Sequence, residues 1–141
     1  MANDAGDFAR SMSIATSGLR AQAGRMRVIS ENIANADSPA STTGGEPYRR
    51  KVPTFSSELD RTLDAKVVTL GKVRPDPSAF RIKHDPGNPA ADAAGNVKYP
   101  NVNPLVEMTD MRDAQRSYEA NLNIISATRR MIQRTLDILK A

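Results

Sequence analysis

The feature that most constrains this sequence is a pair of long heptad patterns, one toward each end of the chain. The first, the N-terminal seam, alternates in steps of four and three through Phe8, Met12, Ala15, Leu19, Gln22, Met26, Ile29, Ile33 and Ala36. The second, the C-terminal seam, alternates in the same way through Met108, Met111, Gln115, Tyr118, Leu122, Ile125, Arg129, Ile132, Leu136 and Leu139. This spacing is typical of α-helices that pack lengthwise against other helices.

The stretch between the seams has a different character. It contains Pro86, Pro89 and Pro100 among Gly, Asp and Ala residues, so it cannot form a continuous helix. We therefore predict a mainly α fold with a small irregular or β-containing middle segment. The division is a helix over 1–36, a loop-rich segment with short strands over 37–103 and a helix over 104–141. The long N- and C-terminal helices pack as a coiled-coil-like pair, form one structural unit, and leave the middle as a projection.

Short extended stretches are predicted within the middle segment. Apolar and β-branched residues favour strands over 67–73 and 80–83, and a shorter extended piece over 96–99. The fold of residues 56–80 as a whole is left open between a β subdomain and an ordered excursion.

Both helices carry signals at their ends. Asn103 followed by Pro104 is a favourable start, with Asn as the N-cap and Pro at the first helical position. Asn35 and Asp37 are expected to end the first helix before Pro39, because both residue types tolerate left-handed backbone and bond freed backbone groups locally.

Two glycines and a further apolar row affect how the helices pack. Gly18 and Gly24 each weaken the first helix by about 1 kcal/mol and are expected to admit a neighbouring backbone or a bend. Ile124, Met131 and Ile138 form a second row beside the C-terminal seam, so that helix presents a face wide enough for more than one neighbour.

Residues for catalysis or metal binding are scarce. The chain has no cysteine and a single histidine, His84, which we interpret as a loop residue. The acidic run around Asp85 and Asp92 lacks the ligand spacing of a calcium loop, and Gly44-Gly45 is not followed by the Lys of a phosphate loop. We predict no catalytic site, no metal site, no cofactor and no small-molecule substrate.

Charge and hydropathy limit the classes of partner that the chain is expected to bind. The net charge is +4 with the charges interspersed, so we interpret the short clusters 48–51 and 129–130 as solvated or protein-facing rather than as a nucleic-acid surface. No apolar run is long enough to cross a bilayer, so direct membrane insertion is not expected. The first residues lack the pattern of a secretory signal, which predicts that any export proceeds without a cleaved signal peptide.

The stretch from Ser17 to Pro39, SGLRAQAGRMRVISENIANADSP, resembles the N-terminal signature of flagellar basal-body rod, hook and related axial proteins. The core of that signature is Asn-Ile-Ala-Asn, found here at 32–35. Further similarity extends over most of the chain. The family's C-terminal motif resembles 107–108 and 116–121, and the segments 45–49, 85–89, 91–92 and 95–102 resemble rod proteins, the last three of them the proximal-rod branch.

The resemblance implies a structural subunit of the rod that transmits torque from motor to hook. It implies export by the flagellar type III apparatus and assembly across the periplasm with other copies and other rod proteins, through the two terminal helices. The implied interface residues of the first helix are Phe8, Met12, Leu19, Met26, Ile29, Asn32, Ile33 and Asn35. Those of the second helix are Met108, Met111, Tyr118, Asn121, Leu122, Ile125, Ile132, Leu136 and Leu139.

One alternative is a helical adaptor or export chaperone that forms a small soluble oligomer. Such a protein would be folded and stable when purified, whereas a rod subunit is expected to be a monomer with protease-sensitive ends. A nucleic-acid binder is the weaker alternative, and it would show a steep dependence of affinity on salt.

Overall fold

The computed structural model describes residues 2–140. The chain begins with a long helix, α1 (Ala2–Ala34), and ends with another, α2 (Pro104–Lys140); six short strands lie between them in the sequence. The strands are β1 (Lys51–Val52), β2 (Phe55–Asp60), β3 (Ala65–Leu70), β4 (Arg74–Pro75), β5 (Arg81–His84) and β6 (Asn96–Tyr99). They form three separate two-stranded antiparallel sheets, β1–β4, β2–β3 and β5–β6. The predicted fold class, mainly α with a small β-containing middle segment, is confirmed.

All three predicted strands are present, but only one of them has the predicted first and last residues. The stretch predicted at 96–99 is β6, and the one at 80–83 is β5, shifted by one residue. The stretch predicted at 67–73 is β3, which begins and ends earlier, at Ala65 and Leu70. Strand β2 was not predicted, because FSSELD lacks a continuous apolar alternation; it exists as the partner of β3, with Phe55 opposite Leu70. Residues 55–70 are therefore a β-hairpin.

The start of α2 follows the predicted capping pattern. The backbone N–H of Leu105 donates to Asn103 Oδ1 at 3.1 Å, and the N–H of Glu107 donates to the Asn103 carbonyl at 3.1 Å. Pro104 is the first helical residue, where its missing N–H costs nothing.

The end of α1 follows the prediction only in part. Asn35 does bond locally, since its Nδ2 donates to the Glu31 carbonyl at 2.8 Å and its backbone N–H reaches the same carbonyl at 3.2 Å. Neither Asn35 nor Asp37 uses the left-handed backbone that its residue type tolerates. Among non-glycine residues in the described range, only Asp64 has a positive φ, of 46°. Helix α1 instead ends at Ala34 through ordinary turns, one of which joins the Ser38 N–H to the Asn35 carbonyl at 3.3 Å.

The chain divides into two compact units. The first contains the described residues of Met1–Met26 and Asp113–Ala141 together with Thr54–Lys72; the second contains Arg27–Pro53 and Val73–Arg112. Each long helix therefore contributes one part to each unit.

In the first unit the β2–β3 hairpin is fixed to α1 by polar contacts. Val68 N–H donates to Ser17 Oγ at 3.2 Å, and Arg10 Nε donates to the Leu63 carbonyl at 2.7 Å. The outer edge of β3 is thereby satisfied in part by a helix side chain, which is how short edge strands avoid unpaired backbone groups.

Gly18 and Gly24 both lie at close contacts of the first unit. A Cβ on Gly18 would be 2.7 Å from Asn121 Nδ2, and a Cβ on Gly24 would be 2.7 Å from Leu70 Cδ2. The groups that approach are thus side chains of α2 and β3, and not a neighbouring backbone as expected from the sequence. Both glycines make room for a defined partner.

The second unit is built around small buried side chains. Ala40, Ala90 and Val97 form its apolar cluster, with Ala91 and Tyr99 packed against it. Strands β5 and β6 pair from Arg81 opposite Tyr99 to His84 opposite Asn96, which places Val97 inside this cluster.

Candidate assembly interface

The contact between α1 and α2 in the first unit uses small residues. Ala15 on α1 and Ala114 and Thr128 on α2 are all buried, with 2% or less of their surface exposed. Gly18 admits the amide of Asn121 at the same contact. Small side chains let two helices lie close, but they remove little apolar surface from water, so this contact leaves many of the large side chains of α2 uncovered.

Most large apolar residues of α2 in the first unit are exposed. Their exposed fractions run from 42% for Leu122 to 76% for Ile138. The exposed set is Leu122, Ile124, Met131, Leu136, Ile138 and Leu139. Exposed apolar residues grouped on one helix are typical of protein–protein interaction sites.

The exposed residues lie on both sides of the buried ones. We call Ala114, Asn121 and Thr128 the contact stripe; they recur every seven residues and face the interior of the unit. At about 100° per residue, Leu122 and Leu136 lie on one side of this stripe. This pair is the first flank.

The second flank lies across the contact stripe from the first. Its members, Ile124, Met131 and Ile138, also recur every seven residues. Since the two flanks point away from each other across the stripe, one neighbouring helix cannot cover both. Helix α2 therefore exposes apolar side chains on two sides that a single helix could not cover together.

The predicted interface residues of both helices fall into three groups by exposure. Met108, Leu122, Leu136 and Leu139 are exposed. The half-buried group is Phe8, Met12, Leu19, Met26, Ile33, Asn35, Met111, Tyr118, Asn121, Ile125 and Ile132. Ile29 and Asn32 are buried within their own chain, with 2% and 1% exposed.

A shallow apolar groove opens where three of the half-buried residues meet. Phe8 and Met12 of α1 line it together with Ala9 and with Ile132 of α2, and it encloses about 310 Å³. Because Gly18 meets Asn121 while Phe8 and Met12 meet Ile132, the two helices run in opposite directions in the first unit.

Asn32 is the centre of a polar cluster in the second unit. Its Nδ2 donates to the Lys51 carbonyl at 2.8 Å and to Glu107 Oε2 at 3.0 Å. Its Oδ1 accepts from Tyr48 Oη at 2.8 Å and from the Lys51 backbone N–H at 2.9 Å. These four bonds use the full hydrogen-bonding capacity of a side-chain amide. We call Asn32, Tyr48, Arg50, Lys51 and Glu107 the polar hub.

Glu107 brings a charged pair into the hub. Its side chain is 1% exposed, and its Oε1 accepts from Arg50 Nε at 2.6 Å. Arg50 also lies 3.4 Å from Asp76 Oδ2 and 3.7 Å from Asp110 Oδ2. Burial opposes the charged form of Arg50, but its hydrogen bonds to Glu107 and Asp76 raise its pKa above the ordinary value. Burial also raises the pKa of Tyr48.

The polar hub ties together three parts of the second unit. It joins the end of α1, the segment 48–51 and the first turns of α2. Sequence reasoning placed Asn32 at the outer interface and treated 48–51 as solvated or protein-facing; the structure places Asn32, Tyr48 and Arg50 in this internal network. The available signal was a Glu in the first turn of a helix otherwise lined by apolar residues, but nothing in the sequence paired it with Asn32.

Other candidate chemistry is weak in the described residues. His84 ends strand β5, where it is exposed and its Nδ1 lies 3.4 Å from Asn96 Oδ1, so the interpretation as a loop residue was wrong. In the range 2–140, His, Asp and Glu form no group suited to a metal ion. Neither described helix is long and apolar enough to cross a membrane.

Comparison with known proteins identifies the family. The family model "Flagella basal body rod protein" matches residues 12–39, and "Flagellar basal body rod FlgEFG protein C-terminal" matches residues 93–138. These matches contain the end of α1 with Asn32 and nearly all of α2.

Whole-chain relatives agree with the family models. A flagellar basal-body rod protein FlgC from Agrobacterium fabrum is 54% identical over 91% of this chain and 92% of its own length. FlgC proteins from Bacillus subtilis and Aquifex aeolicus are 39% and 38% identical, over 92% and 95% of this chain and 97% and 98% of their own lengths. The chain therefore belongs to the FlgC family of flagellar basal-body rod proteins.

Proposed function

We propose that this chain polymerises through its terminal helices into the flagellar basal-body rod and transmits torque there. The observation that carries the proposal is the pair of apolar flanks on α2, left uncovered on opposite sides of the contact stripe. A tube of parallel subunits gives each helix neighbours on both sides, whereas a dimer covers only one side.

In this proposal, half-buried residues of α1 also contact a neighbouring subunit. Phe8 and Met12 already meet Ile132 at the groove of the first unit, so a neighbour that fills this groove would contact both helices at once. Ile29 and Asn32, by contrast, act inside the chain. Through the hub, Asn32 fixes the position at which the backbone leaves α1.

Members of this family are structural rod proteins of the basal body that assemble with other rod proteins. Beyond that, we propose export of this chain through the flagellar type III apparatus without a cleaved signal peptide, and a position in the part of the rod that crosses the periplasm. The same proposal has no role for catalysis, a cofactor, a small-molecule substrate, nucleic acid or membrane insertion. The family relationship and the nature of the exposed residues support it.

Charge introduced into either flank tests the proposal. Leu122→Asp alters the first flank and Ile138→Asp the second; Asn123→Asp adds the same charge to the polar side of α2 and is the matched control. We expect the two flank variants to be exported but not incorporated into basal bodies, with loss of swimming in soft agar, while the control swims normally. Normal swimming by both flank variants would overturn the proposal.

A further inference from the structure

A basic cleft lies in the second unit, apart from the flanks of α2. It encloses about 500 Å³ and is lined by Arg27, Val28, Glu31, Tyr48, Arg49, Lys51, Val73, Arg74 and Pro75. We call these residues the basic cleft. Four of them are cations and one is an acid, so the lining carries a net formal charge of +3.

The contacts within the cleft leave most of this charge uncompensated. Lys51 Nζ is paired with Glu31 Oε2 at 2.9 Å. Arg49 donates to the backbone carbonyls of Asp76 and Ser78 at 3.0 and 3.1 Å, which hold its guanidinium in place without neutralising it. The ring of Phe80 lies 4.2 Å from the same guanidinium and fixes it further.

Two arginines at the cleft are free to meet a ligand. Arg27 and Arg74 are both exposed, and within residues 2–140 no salt bridge joins Arg74 to an acid. Arg27 lies close enough to Glu31 to contribute to its electrostatics, but Glu31 is already bonded to Lys51. Guanidinium groups bind carboxylates through paired hydrogen bonds, and Arg49 together with two exposed arginines in one cleft suits more than one carboxylate.

The walls of the cleft point to a peptide and not to a bare anion. Val73 and Pro75 are exposed and supply apolar surface beside the cations. An inorganic phosphate would use the charges and leave these walls in water. A protein segment that carries carboxylates next to aliphatic side chains would use both. We propose that the basic cleft is a docking site for such an acidic segment of an adjoining protein subunit; the identity of that neighbour as a rod subunit rests on the proposed function.

Binding by the purified full chain tests this without requiring polymerisation. The probe is a fluorescein-labelled hexapeptide with alternating Glu and Leu, and the same peptide with Gln for Glu is its control. The test variant is Arg27→Gln combined with Arg74→Gln, and Arg129→Gln combined with Arg130→Gln removes the same charge from α2. Circular dichroism melting curves check that both variants fold as the parent does.

We expect the Glu peptide to bind the parent and the α2 variant alike, and the cleft variant to bind about fivefold or more weakly. Raising the salt from about 50 to about 300 mM should weaken binding to the parent. Equal binding to the cleft variant, equal binding of the Gln peptide, or equal competition by inorganic phosphate or single-stranded DNA would each overturn the proposal. Because the flank variant Leu122→Asp retains the cleft, it should still bind the peptide, so this test and that of rod assembly fail separately.

Discussion

Asn32 Nδ2 donates to Glu107 Oε2 at 3.0 Å, although the two residues are 75 positions apart in the chain. Both side chains are 1% exposed. This bond joins the last turns of one terminal helix to the first turns of the other inside the second unit. Since neither residue is accessible to a neighbour, the hub serves the subunit's own fold, whereas the flanks of α2 stay exposed.

Removing the Asn32 amide should destabilise the second unit. Asn32→Ala deletes four hydrogen bonds at once and leaves the buried Glu107 Oε2 and the part-buried backbone groups of Lys51 without these partners. Each unsatisfied group costs about 1–3 kcal/mol, so we expect a loss of at least about 2 kcal/mol in the free energy of unfolding. Urea denaturation followed by circular dichroism measures it. Ser30→Ala, at an exposed site on the same helix, is the control, and an equal effect of both substitutions would contradict the role given to the hub.

Glu107→Ala should be at least as damaging as the loss of Asn32. It removes the acceptor of the 2.6 Å bond from Arg50 and leaves that guanidinium in a partly buried site, where breaking an ion pair costs up to about 3–5 kcal/mol. Asp76 and Asp110 remain near Arg50 and reduce the cost. A double-mutant cycle with Asn32→Ala separates the coupling from the single effects. Additive losses, within about 0.5 kcal/mol, would show that the two residues do not form one network.

Gly18 and Gly6 make a matched pair on α1. Alanine at either position gains about 1 kcal/mol of helix propensity. At Gly6 the new Cβ would meet nothing within 4 Å, whereas at Gly18 it would lie 2.7 Å from Asn121 Nδ2. We therefore expect Gly6→Ala to stabilise the protein in thermal melts and Gly18→Ala to destabilise it by about 1–3 kcal/mol. Asn121→Ala in the Gly18→Ala background should restore stability, and a neutral Gly18→Ala would show that the contact is loose.

Acid should weaken the second unit. Hydrogen bonds from Ser78, and then from Arg50, lower the pKa of Asp76, and the hydrogen bond from Lys51 lowers the pKa of Glu31. A carboxylate with a lowered folded-state pKa stabilises the fold above its ordinary pKa, and this contribution is lost as the pH falls through the folded-state value. Stability should therefore decline below about pH 4 to 5. Asp76→Asn should flatten this decline in urea titrations at stepped pH, while Glu46→Gln at an exposed site should leave its slope unchanged.

The sequence was sufficient to locate the two helices, but it did not show which residues each helix contacts. The heptad spacing located both terminal helices, and Asn103-Pro104 located the start of α2, because capping and periodicity are local properties. The same spacing does not say which side of a wide apolar face is turned inward. The structure buries small residues such as Ala114 and Thr128 and leaves Leu122 and Ile138 outside, a choice that depends on how closely α1 approaches.

The middle segment was harder to predict for a related reason. Strand β2 has little apolar alternation of its own and is defined by pairing with β3, which periodicity within one strand cannot reveal. The polar hub likewise depends on contacts between residues far apart in sequence, Asn32, Arg50 and Glu107. The family resemblance pointed to the right region of α1, but it gave Asn32 an outward role that its burial does not support.

Access to the second flank tests the central claim most directly. The chain has no cysteine, so Ile138→Cys introduces a single thiol at a residue that is 76% exposed in the isolated chain. The measurement is the extent of maleimide labelling of this thiol in the purified subunit and in intact basal bodies, with denatured basal bodies as the reference for full reaction. The account predicts rapid labelling of the subunit and strong protection in basal bodies that is lost on denaturation. Equal labelling of subunit and intact basal bodies would contradict it.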